Sequence, residues 1–169
     1  DKHGAPRAHE RDDRGPRAPR LADAAFRAQR HAMENAQAAL RKLAAQAHGE
    51  VLTQLMEAWR TRDAAAVPTA QALGKRGGAQ RTQWAQALQG GAAGDAAQAM
   101  LRLEVAADLP TPAAHLAERR ALQLQLLTQR HDPAPDQTWG ADVARVLAAG
   151  HDEGQARRLQ AALKVLLKP

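Results

Sequence analysis

Cysteine and serine are both absent from this chain of 169 residues, as are tyrosine and isoleucine. The first two absences remove disulfides, thiolate nucleophiles, cysteine-based metal sites and the serine nucleophile. Aromatic residues are sparse: Phe26 stands with Trp59, Trp84 and Trp139. Large side chains for a wide core are therefore few. The 44% of apolar residues are largely alanine and leucine, which suit closely packed helices. No stretch approaches the ~18 consecutive apolar residues that a membrane-spanning helix needs. The seven threonines carry no attached motif, and neither a GxxxxGK[ST] loop nor a GxGxxG turn after a strand is present. No enzyme activity, cofactor or small-molecule substrate is indicated.

The net charge is +6, with a sequence pI near 10.7. That balance suits nucleic acid, acidic lipid or an acidic protein, although 18 acidic residues are mixed among the basic ones and a plain solvated surface accounts for it equally well. The abundance of Ala, Arg and Gly without Ile fits a GC-rich bacterial genome. The chain starts at Asp1 without a signal-like segment, so the expectation is a fragment or processed chain in the cytoplasm. Residues 1–20 read as a basic tail or linker. Pro6, Pro16 and Pro19 interrupt them, they lack any large apolar side chain, and six basic against four acidic residues leave +2.

The stretch from Leu21 to Arg62 holds no proline and one glycine, Gly49, among good helix formers. As a single helix it is roughly 60 Å long at about 1.5 Å per residue. Phe26, Met33, Leu40 and Ala47 recur every seven residues, with Ala36 and Leu43 between them, so one face is apolar. Beyond Gly49 the apolar residues are Val51, Leu52, Leu55, Met56 and Trp59, and their mean direction is rotated by roughly a quarter turn, at about 100° per residue. Either the helix runs on and presents its stripe to successive neighbours, or it kinks or breaks at Gly49; continuity is the expectation, because no turn residue accompanies the glycine.

Shorter helices follow. Pro68 opens one to Leu73, and Gly74, Gly77 and Gly78 break it. Another covers Ala79–Leu88. Asp95 caps Ala96 to about Asp108. Thr111 and Pro112 read as N-cap and first residue of a leucine-rich helix reaching Arg130, whose wide stripe predicts the most buried helix of the protein. Two more cover Asp136–Ala149 and, after the Asp152 cap, Glu153–Leu167. No strand alternation and no fixed repeat is present. The fold class is all-α: a long N-terminal helix with five to six shorter helices packed along it, the helical domain covering 21–169 with a sub-boundary near 90–95.

Candidate contact residues are cations. Arg27, Arg30, Arg41 and Lys42 ride the long helix, Arg119, Arg120 and Arg130 the leucine-rich one, and Arg157, Arg158, Lys164 and Lys168 the last. Such ladders can track a phosphate backbone, and solvated faces with intrahelical Glu–Arg pairs explain the same residues. Lys75 and Arg76 lie in a glycine-rich break that either wraps an anion or simply connects two helices. Base stacking is not expected, since packing claims the four aromatics. Two His-x-x-Glu pairs, His31 with Glu34 and His115 with Glu118, have the i,i+3 spacing that places both side chains on one face. Surface pairing explains them, and no metal site is assigned.

Two segments, PRLADAAFRAQRHAMENAQAALRKLAAQAHGEVLTQLMEAW (residues 19–59) and LRLEVAADLPTPAAHLAERRALQLQLLTQR (residues 101–130), resemble the C-terminal part of bacterial proteins in the domain of unknown function 349 family. The resemblance implies a mostly helical, charged, cytoplasmic protein. It implies no reaction and transfers no functional residue, and this chain would be the end piece of such a protein. Together these features point to a helical interaction or scaffold module that binds a protein partner or a second copy of itself. The alternative is a sequence-tolerant RNA- or DNA-associating module that uses the arginine ladders and the tail.

Overall fold

The computed structural model describes Gly4 and residues 20–90, 94–129 and 132–168. The tail assigned to 1–20 and Arg130 therefore lie outside the described residues, apart from Gly4 and Arg20. Among the described residues every regular element is helical: α1 (Leu21–Thr61), α2 (Ala70–Gly78), α3 (Arg81–Leu88), α4 (Ala96–Ala106), α5 (Leu116–Thr128), α6 (Pro135–Ala148) and α7 (Glu153–Leu166), with single 3₁₀ turns at Ala64–Ala66 and Ala113–His115. No described helix is long and apolar enough to cross a membrane. The chain divides into two compact units, residues 1–43 and 44–169. The stretch 90–95 falls inside the second of them.

The first unit contains the opening part of α1. Among the described residues its apolar stripe is open: Phe26, Met33, Leu40 and Leu43 are 57–65% exposed, and every residue from 21 to 47 is exposed. The helix runs unbroken through Gly49, where the Thr53 hydroxyl donates to the Gly49 carbonyl at 3.0 Å.

The second unit holds the core. Leu52, Leu55, Met56, Ala58 and Trp59 are the buried residues of α1, and they join a cluster supplied by α2, α3, α4, α6 and α7. The most enclosed helix is α6, which buries Pro135, Trp139, Gly140, Asp142, Val143, Ala144, Val146 and Leu147 and packs mainly on α4 and α3. That corrects the expectation for the leucine-rich helix. In α5 only Leu122 is buried, while Leu124 and Leu127 are 63% and 78% exposed. A wide leucine stripe requires neighbours on two sides, and α5 has α4 alone as a substantial helical neighbour.

Two helix starts also differ from the reading of the sequence. Helix α2 opens at Ala70 rather than at Pro68, and Thr69 caps it, accepting from the Ala72 N–H at 3.2 Å. Thr111 caps nothing, because its hydroxyl donates into the core to Glu104 at 3.0 Å. Helices α1 and α4 end without glycine: Arg62 and Asp108 take the left-handed conformation (φ 55° and 53°), and the next residue's N–H reaches back five residues, Asp63 to Ala58 at 3.0 Å and Leu109 to Glu104 at 2.9 Å. Asp95 and Asp152 cap α4 and α7 as expected, on the N–H groups of Ala97 and Gln155 at 2.9 Å each.

Two glycines predict opposite responses. A Cβ on Gly49 meets open space, whereas one on Gly78 would lie 2.6 Å from the Ala70 carbonyl oxygen. Gly49→Ala is expected to stabilise the chain by about 0.5–1 kcal/mol through helix propensity. Gly78→Ala is expected to destabilise it by about 1–3 kcal/mol, because backbone must move. Urea unfolding midpoints of the two variants check the pair.

Candidate interaction surface

Ten of the cations singled out from the sequence separate by what they touch. Arg158 in α7 is held inside: its Nη2 and Nε donate to the Glu104 carboxylate of α4 at 2.5 and 3.1 Å, with Glu104 3% exposed. Arg119 in α5 donates to the Leu109 carbonyl and to the Thr111 hydroxyl, the latter at 3.0 Å. Thr111 in turn donates to Glu104. The two arginines thus meet around one buried carboxylate and join α4, α5 and α7. Both candidates are thus engaged within the chain: a buried carboxylate needs a matching charge, and these side chains supply or support it.

The remaining candidates are on the surface. Arg27, Arg30, Arg41 and Lys42 are exposed on α1, with the Arg30 guanidinium 5.1 Å from the centre of the Phe26 ring. A cation over an exposed ring contributes about 0.5–1 kcal/mol. Lys75, Arg76, Arg120 and Arg157 are also exposed, and the Arg76 guanidinium lies 5.5 Å from the centre of the Trp139 ring. Gly74 interrupts α2 with φ 80° and ψ −177°, so the glycine-rich break is real. Lys75, Arg76 and Lys168 line a cleft of about 490 Å³ whose walls are chiefly Ala44, Ala47, Val51, Leu73 and Leu167. His48 also lines it, but its Nε2 is buried and has no hydrogen-bond partner. Further along α1, the hydrogen bond from Arg60 holds the exposed Glu57 carboxyl below its ordinary range.

Two groups escaped the reading of the sequence. Asp142 of α6 is fully buried and accepts from Arg145 at 2.7 Å, from Thr138 at 3.1 Å and from Arg102 of α4 at 3.2 Å. Glu104 is the other. The available signal was placement, since each carboxylate stands among the apolar residues of its helix, Glu104 after Met100, Leu101 and Leu103 and Asp142 between Trp139 and Val146. Neither arrangement suggests a reaction: each acid is saturated by arginine and threonine donors. Among the described residues no three His, Asp or Glu side chains converge as metal ligands, and His31 and Glu34 sit 3.8 Å apart on the open surface.

The longest exposed apolar row among the described residues is on the opening part of α1. One side carries Phe26, Met33, Leu40 and Leu43, and other positions carry Arg27, Arg30, Arg41 and Lys42. Comparison of the chain with family models, with curated proteins and with solved structures finds no match.

Adjacent arginines of α7 separate internal from surface roles. Arg158→Ala leaves Glu104 buried with an uncompensated charge and is expected to destabilise by about 3–5 kcal/mol. Arg157→Ala, on the exposed side, is expected to stay within about 0.5 kcal/mol of the parent. Urea denaturation followed by helical circular dichroism reads both.

Proposed function

We propose that this protein is a non-enzymatic helical interaction module whose working surface is the exposed opening part of α1, and that its partner is a protein. The observation that carries the reading is the unpartnered stripe of Phe26, Met33, Leu40 and Leu43 on a helix with no buried residue from 21 to 47. Large apolar side chains scattered singly over a surface need no explanation, but a row at helical spacing has a direction and a length. A partner helix covering that row removes it from water, each fully covered side chain contributing about 1.5–3 kcal/mol before the entropy of association is subtracted.

The alternative, a sequence-tolerant RNA or DNA contact, draws on Arg27, Arg30, Arg41 and Lys42. It is weakened by the internal roles of Arg119 and Arg158, which remove two members from the arginine ladders. The three tryptophans are buried, so base stacking would fall to Phe26 alone among the aromatics. The resemblance to the domain of unknown function 349 family supports a bacterial cytoplasmic setting within this proposal and adds no site residue.

The test is retention of protein by the immobilised full chain from nuclease-treated and untreated native lysate. Retention is expected to survive nuclease and to be lost in the Met33→Glu/Leu40→Glu variant, whose changes lie on exposed positions and leave the core intact. Retention that disappears on nuclease treatment, falls steeply with salt and is lost in Arg27→Ala/Arg30→Ala/Arg41→Ala overturns the reading in favour of nucleic acid.

A further inference from the structure

Resting on that reading, the structure also limits the geometry of the partner. Phe26, Met33 and Leu40 repeat every seven residues, with Gln29, Ala36 and Leu43 at the intermediate positions. A strict seven-residue repeat runs straight along a helix only when the helix supercoils, left-handed, about another helix of the same repeat. A helix packed across a globular core at a steeper angle would need only a short patch.

We propose that residues 22–47 of α1 pair with the same segment of a second copy of this chain, as an antiparallel two-helix coiled coil. The segment is self-complementary in one register, where the numbers of facing residues sum to 69. Phe26 then packs on Leu43 of the second copy, Met33 on Ala36, and Leu40 on the stem of Gln29. At the centre a large side chain meets a small one, and the twofold axis repeats the match on the other side. The flanking positions set Ala32 beside Ala39 and Arg30 beside Gln37. The first pair lets the helix axes approach to the short end of the usual 8–10 Å range. The second places no like charges across the seam, and Asp23 faces Ala44. A parallel pairing would instead set Gln29 against Gln29 inside the seam and stack Phe26 on Phe26.

The area is sufficient. Twenty-six residues at about 1.5 Å each give a contact strip about 39 Å long. Covered to the width of a two-helix seam, that strip removes on the order of 500–600 Å² per copy, or roughly 1,000–1,200 Å² in all, the lower edge of specific interfaces. A dimer of this size is weak and reversible, so the monomer–dimer balance responds to concentration.

Sedimentation equilibrium of the full chain between about 5 and 500 µM, the range in which so small an interface should respond, is the first measurement. The weight-average mass is expected to rise from 18.1 kDa toward twice that value. Met33→Glu/Leu40→Glu is expected to remain monomeric throughout with unchanged helical circular dichroism. A parent chain that stays monomeric at the highest concentration overturns the proposal, as does a dimer that the double variant leaves intact.

The absence of cysteine permits a direct register test. Phe26→Cys and Leu43→Cys are made separately, mixed under mild oxidation and compared with each alone. A mixed disulfide formed in large excess over either self-linked species is expected. Efficient self-linking of Phe26→Cys alone indicates parallel pairing and overturns the register. If the parent is monomeric yet still retains a nuclease-resistant protein that Met33→Glu/Leu40→Glu loses, the second copy is overturned while the interaction reading stands. If that variant alters neither self-association nor retention, both fall.

Discussion

Two indole N–H groups and one guanidinium converge on α6, and the arrangement of the second unit depends on them. Trp84 of α3 donates to the Gly140 carbonyl at 2.9 Å inside the core, with its ring edge-on to Trp139 at 6.0 Å between centres. Trp59 of α1 donates to the Ala149 carbonyl at 2.9 Å, just past the end of the same helix. Arg62 adds bonds to the carbonyls of Leu147 and Ala149 at 2.7 and 2.8 Å and to that of Ala148 at 3.2 Å. Those are the carbonyls a helix leaves without internal partners, and a cation there also faces the negative end of the helix dipole. A chain with so few aromatics has concentrated its three largest side chains around one helix. Because a buried indole must place its N–H, each contact fixes an orientation as well as filling space.

Charge organises the remaining contacts. Glu104 and Asp142 are carboxylates inside an apolar assembly, and each draws arginines from another helix: Arg158 from α7 to Glu104 on α4, and Arg102 from α4 to Asp142 on α6. Such pairs contribute little net stability over apolar packing, since desolvation offsets the attraction. Their effect is directional, because breaking either would strand a buried charge. They tie α4 to both α6 and α7. The same demand engages Arg119 and Arg158 within the second unit, while the cations of the opening part of α1 stay exposed.

The sequence by itself determined the all-helical class, the continuity of α1 through Gly49, the caps at Asp95 and Asp152 and the changed direction of the apolar stripe along α1. Each follows from local propensity, from spacing along one helix or from the chemistry of a cap, all of which act within a few residues. Tertiary structure alone decided that α6 is the most enclosed helix and α5 the more open one. Both stripes look suitable for burial, and what separates them is how many neighbours arrive, a quantity that no single helix encodes. The roles of the arginines were decided in the same way. Arg157 and Arg158 are adjacent and chemically identical, but only Arg158 lies across from Glu104, a residue 54 positions earlier. The Phe26–Met33–Leu40 repeat was legible from its spacing. That no described residue covers it was not, because a period of seven records that a helix has an apolar side and not what packs on that side.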